Sequence, residues 1–115
     1  MTDSFILDAC GLIAFLVDED GANKVEQLLL DAKNGTAEIF MHKLNVLEIY
    51  YGVYREDGSE VAGRVLEKIY SFPITFLEKI GNEIVGEAGR LKATYKISLA
   101  DSIVLAEALV RGARL

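Results

Sequence analysis

The sequence predicts an α/β protein built as a three-layer sandwich, with a short parallel sheet flanked by helices on both faces. Three observations carry this prediction. Strand-like and helix-like segments alternate along the chain, the strand-like segments are short and continuously apolar, and no hairpin signal joins any two of them. The length of 115 residues suffices to bury one core but not two, so residues 1–115 read as a single domain.

Residues 4–8 (SFILD) read as a buried strand closed by an acid, and Gly11 to Val17 as a short apolar helix followed by the acidic turn DEDG at 18–21. Val25, Leu28, Leu29 and Ala32 keep the spacing of one helix face, which Asn34-Gly35 ends. Residues 38–42 (EIFMH) fit a second strand, in which His42 is read as structural. Asn45 suits the N-cap of a helix running through Val46 to about Glu56 and stopping near Asp57-Gly58. Ser59 suits the cap of another, with Val61, Val65 and Ile69 inward. The single Pro73, in SFPITFLE, fits the start of a third strand better than its middle.

Asn82 to Tyr95 is helical by period, and Gly81, Gly86 and Gly89 predict close packing against a neighbour. The last helix begins near Ser98 and is apolar on nearly every face up to Val110, which predicts burial. Gly112 ends it, and Ala113-Arg114-Leu115 has the look of a strand beginning.

Composition narrows the functional classes. Apolar residues make up 51% of the chain and charged ones 26%, as in an ordinary globular domain. No basic leader precedes the first apolar stretch, and no run approaches the roughly 20 apolar residues that span a bilayer. One cysteine forms no intrachain disulfide, so the chain reads as intracellular, reduced and cytoplasmic, without a membrane role. One Cys and one His leave no thiolate or imidazole set for zinc, so any bound metal would be a hard cation held by oxygens. The net charge of −6 argues against nonspecific nucleic-acid binding by bulk electrostatics, but a nuclease stays open because bound cations invert the local field.

Three acids each sit at an element boundary inside an apolar segment: Asp8 in FILDACGLIAF, Glu48 in KLNVLEIYYGV and Asp101 in ISLADSIVLAEAL. Each has a plain structural reading. Glu48 follows Asn45 by three residues and Asp101 follows Ser98 by three, the spacing of a capping box, and Asp8 can cap the helix after its strand. Together they point elsewhere, because parallel sheets gather ligands at the carboxyl ends of their strands, where the helix starts also lie.

In order and approximate spacing the three motifs resemble the acidic signature of PIN domains, and in particular the small VapC-type ribonucleases of toxin–antitoxin pairs. The resemblance covers essentially the whole chain. It implies a compact α/β sandwich with a site at the carboxyl edge of its sheet, one or two Mg²⁺ or Mn²⁺ ions, and cleavage of single-stranded or loop RNA to leave a 5′-phosphate. Residue by residue, it implies that Asp8, Glu48 and Asp101 are catalytic and hold the metal. The substrate side is expected at Cys10, Asn45 and Arg55. The implied partners are RNA and a small antitoxin protein that inserts a helix or a basic side chain near the acids.

Two departures from the family pattern stand out. Cys10 occupies the position, two residues after the first acid, that commonly holds Ser or Thr, and it is a poorer hydrogen-bonding group. Family chains also run on from a GARL-like segment through a strand to a further acid, whereas this sequence ends at Leu115. Glu107 does not replace that acid, since six residues from Asp101 place it about 240° around the helix. The expectation is a shortened chain, completed by self-association into a homodimer or higher oligomer, or impaired in catalysis.

The remaining features read as structure first. Tyr50, Tyr51 and Tyr54 are expected in the core and its rim, with base stacking or a partner groove as the other role. Arg55 lies on the Glu48 face and can hold phosphate, as can Lys43, Arg90, Lys92 and Lys96, though solvated surface is the plainer reading. Cys10 is expected to be buried. A metal-dependent endoribonuclease, a PIN-fold binding or scaffold protein and a phosphoacceptor receiver domain are the competing functions. The receiver lacks its acidic pair and late lysine, and no phosphate-cradling glycine loop is present.

Overall fold

The structure is a computed structural model and describes residues 3–16 and 22–115. The elements run β1 (Asp3–Ile6), α1 (Ala9–Leu16), α2 (Ala22–Lys33), β2 (Ala37–His42), α3 (Lys43–Asp57), α4 (Ser59–Ser71), β3 (Thr75–Leu77), α5 (Asn82–Thr94) and α6 (Leu99–Arg111). The expected end of α1 at Val17 and the turn at 18–21 lie outside the described residues. The three strands form one parallel sheet in the order β1-β2-β3, with Asp3 opposite Ala37 through Ile6 opposite Phe40, and Phe40 opposite Thr75 through His42 opposite Leu77.

The pleat of β2 divides the core. Successive strand side chains point to opposite faces, so Ile39 and Met41 pack with Leu12, Leu29, Val46, Ile49 and Ile69 from α1 to α4. Phe40 points the other way, with Ile6, against Val104 and Ala108 of α6. Beyond it, Ile84, Ala88 and Leu91 of α5 keep an i, i+4, i+7 stripe against Ile103 and Ala106. This gives the predicted three layers. The same outer face takes Glu107, 3% exposed, whose carboxylate lies 3.5 Å from Nε of Arg111, and the Arg111 guanidinium lies over the Phe40 ring at 4.7 Å.

Ala113 to Leu115 bear out the look of a beginning strand. Phe5 and Arg114 form a parallel bridge, in which Ile6 N–H donates to Arg114 O at 2.6 Å and Arg114 N–H donates to Ser4 O at 2.9 Å. Gly112 adopts φ +64°, the left-handed conformation that lets the chain leave α6 and turn back to β1.

Four expectations are corrected. The helix after β2 starts at Lys43, without a loop, and its N-cap is His42, whose Nδ1 accepts from Leu44 N–H at 3.1 Å. Asn45 is therefore inside the first turn. Ser59 is the first residue of α4 rather than its cap, and the chain bends at Gly58, φ +89°, which belongs to the preceding turn. A Cβ at Gly81, Gly86 or Gly89 would meet nothing within 4 Å, so these glycines mark the open side of α5. Finally, α6 is not buried all round, since Leu99 and Leu109 are more than half exposed.

Candidate metal centre

The carboxyl edge of the sheet is where β1, β2 and β3 end, at Ile6, His42 and Leu77. Asp8 follows β1 by two residues. The strand ends two residues earlier than the expected 4–8, and Asp8 instead caps α1, because its Oδ1 accepts from Gly11 N–H at 2.7 Å. Gly11 makes this possible: a Cβ there would stand 3.2 Å from that same oxygen and 3.2 Å from Leu7 Cδ1. The sequence signal for this role of Gly11 is a glycine three residues after a strand-end acid, a pattern that does not by itself single it out.

Glu48 is exposed on the second turn of α3, and Asp101 is exposed on the first turn of α6. Ser98 caps α6, its Oγ accepting from Asp101 N–H at 3.0 Å. The three acids come from distant parts of the chain, yet the structure couples them. Partial burial holds Glu48 above its ordinary carboxylate range, and the negative charges of Asp101 and then Asp8 push it further up. Among the described residues, no three acidic, histidine or cysteine side chains stand close enough to share one ion.

A groove of about 550 Å³ runs beside β1, lined by Leu7, Asp8, Gly11, Val25, Leu28 and Leu115 among others. It meets Asp8 but neither other acid, so the three do not open into one enclosed cavity.

The other expected residues fall on several surfaces. Cys10 is exposed rather than buried, because α1 turns Ala9 and Leu12 inward and leaves Cys10 on its outer side. Asn45 is 1% exposed, and among the described residues its Nδ2 is the buried side-chain polar atom without a hydrogen-bond partner. Arg55 is exposed, donates from Nη1 to the Tyr51 hydroxyl at 3.2 Å, and lies 3.5 Å from Glu56. Tyr51 and Tyr54 are at least half exposed and so belong to the rim rather than the core, with Tyr50 partly buried against Tyr54. Lys43 pairs with Glu78 at 2.9 Å, Arg90 with Glu87, and Lys92 reaches Ile97 O at 3.0 Å, while Lys96 is exposed. His42 is structural as expected: it is 2% exposed, caps α3, and its Nε2 lies 3.4 Å from Lys79 O. Among the described residues, no helix is long and apolar enough to cross a membrane.

The model of the PIN domain family matches residues 5–115. Among solved structures, VapBC2 from Rickettsia felis bound to a DNA fragment from its promoter aligns with a TM-score of 0.72 and 20% identity, covering 96% of this chain and 83% of that one. DNA-bound VapBC from Salmonella typhimurium aligns at 0.71 and 14%, covering 98% and 83%. A toxin–antitoxin complex from Klebsiella pneumoniae aligns at 0.67 and 16%, covering 95% and 81%. At these identities the likeness is one of fold. No curated protein matches the sequence.

Proposed function

This chain belongs to the PIN domain family, and from that premise we propose that it is a metal-dependent endoribonuclease, the toxin of a toxin–antitoxin pair. The observation that supports this most is the coupling of Glu48 to Asp101 and Asp8 across three separate segments. Three carboxylates from the carboxyl side of a parallel sheet, with Glu48 pressed by the charges of the other two, suit a hard divalent cation, Mg²⁺ or Mn²⁺, held by Asp8, Glu48 and Asp101. When bound, such an ion supplies charge that offsets the carboxylates and makes water acidic enough to attack phosphorus.

The rest of the proposal concerns this chain's own residues. Asp8 is oriented by its bond to Gly11 N–H, and Asp101 by the cap that fixes the start of α6. Arg55, seven residues beyond Glu48 and so about 10 Å along α3, holds the RNA backbone. Cys10, exposed beside Asp8, offers a weak S–H donor to the substrate. Hydrolysis leaves a 5′-phosphate. The partner is a small antitoxin protein and the setting the cytoplasm, with the chain acting as a homodimer or higher oligomer.

The test is calorimetric titration with Mn²⁺ of the parent, Asp8→Asn and Asp101→Asn chains, alongside cleavage of a single-stranded RNA. The expected result is Mn²⁺ uptake and cleavage by the parent and loss of both in either variant. A second reading, a PIN-fold binding or scaffold protein, is favoured by the spread of the acids and by the engagement of Asp8 as a helix cap. A folded parent that takes up no Mn²⁺ would select it.

A further inference from the structure

Asn45 is costly where it stands. A buried donor without an acceptor loses about 1–3 kcal/mol relative to a satisfied one, and Asn45 is 1% exposed with Nδ2 unpartnered. Its neighbours Val46 and Ile49 are core residues, 2% and 1% exposed, so the packing around it gives no reason for an amide. Nor is it needed to start the helix, since His42 caps α3. A leucine, which keeps the same branching and carries no polar atom, would leave no unpaired donor in the core.

Helical spacing makes Glu48 a neighbour of Asn45. Residues three apart on an α-helix are surface neighbours, and helical side chains lean toward the N-terminus. The Glu48 side chain therefore inclines over the turn that carries Asn45. That turn is anchored at His42, whose Nδ1 accepts from Leu44 N–H and whose Nε2 lies 3.4 Å from Lys79 O. At 1% exposure Asn45 is out of direct reach of an RNA strand, which removes it from the substrate side.

We propose that Asn45 is a positioning residue for Glu48: its Nδ2 donates to the Glu48 carboxylate and selects the oxygen presented to a divalent cation. This rests on the metal-site reading given above. The donor is satisfied when Glu48 turns inward, so the local cost of the buried amide is recovered only in the cation-binding arrangement.

The test uses Asn45→Leu and Asn45→Thr in the 115-residue chain, with thermal melting and Mn²⁺ calorimetry on each. Asn45→Leu is expected to melt at or above the parent temperature and to bind Mn²⁺ about tenfold more weakly, the loss usual for a group that orients a metal ligand. Asn45→Thr, which keeps an O–H donor, is expected to recover part of that affinity. Glu48→Gln should weaken binding by a smaller factor in the Asn45→Leu background than in the parent. Undiminished Mn²⁺ affinity in Asn45→Leu overturns the inference and leaves the metal site standing. A lowered melting temperature that Asn45→Thr restores without restoring affinity overturns it in favour of a purely structural amide. A parent that binds no Mn²⁺ overturns the metal-site reading and this inference with it.

Discussion

The starts of α3 and α6 look alike in sequence and differ in structure. Each offers a residue of the capping type followed three positions later by an acid, Asn45 with Glu48 and Ser98 with Asp101. At α6 the pattern means what it says: Ser98 stands outside the helix and its Oγ accepts from Asp101 N–H. At α3 the helix has already begun two residues earlier, because β2 runs into it without a loop and the imidazole of His42 takes the capping role. The spacing is the same, and the phase of the helix start decides its meaning. One residue becomes a solvent-side cap, and the other a buried amide with no partner.

Substitutions at the two starts can break this contrast. The largest effect is expected for His42→Ala, which removes the α3 cap and opens a void in the core. It should cost about 2 kcal/mol or more in urea unfolding, whereas a loss near zero would mean that α3 is held without its cap. Ser98→Ala should cost about 1 kcal/mol in the same measurement. A smaller effect on stability and a sharper one on the site is expected for Gly11→Ala. Alanine favours the helix by about 0.5–1 kcal/mol, but its Cβ would press on Asp8 Oδ1, so the melting temperature should change little while Mn²⁺ affinity falls several-fold.

The smallest effect is expected from Glu48→Gln, read as melting temperature against pH. Burial and the charges of Asp101 and Asp8 raise Glu48 above its ordinary 4.5, so the folded chain holds this proton more tightly than the unfolded one. The corresponding stability is complete below pH 4.5 and is lost as the pH rises through the folded-state value. Glu48→Gln should therefore melt slightly above the parent at neutral pH, with the difference fading in acid. A difference that grows in acid would reverse the sign of the coupling.

Most of the architecture was legible because it depends on periodicity. The strand at 38–42, the helix face of Val25, Leu28 and Leu29, the stop at Asn34-Gly35 and the strand-like turn of Ala113 to Leu115 all appear where the pattern puts them. What was not legible depends on phase and on neighbours. Histidine is not among the usual capping residues, so the start of α3 was misplaced and Asn45 with it. The glycines of α5 suggest a packing face from the sequence, but the face used is Ile84, Ala88 and Leu91. Cys10 is exposed because Ala9 and Leu12 claim the inward direction of α1, a choice that a short apolar helix does not announce. At the acids, order and spacing could be read from the chain, while the electrostatic coupling of Glu48 to the other two required the folded arrangement.

The buried Glu107 has a consequence for an acid it never touches. Six residues separate it from Asp101, about 240° of helical turn, so the two point in different directions from one rod. Glu107 is buried beside Arg111, whose guanidinium lies over Phe40, and turning α6 about its axis would break that arrangement. The helix is keyed, as a shaft is keyed to its hub, and the key sets the bearing on which Asp101 faces outward.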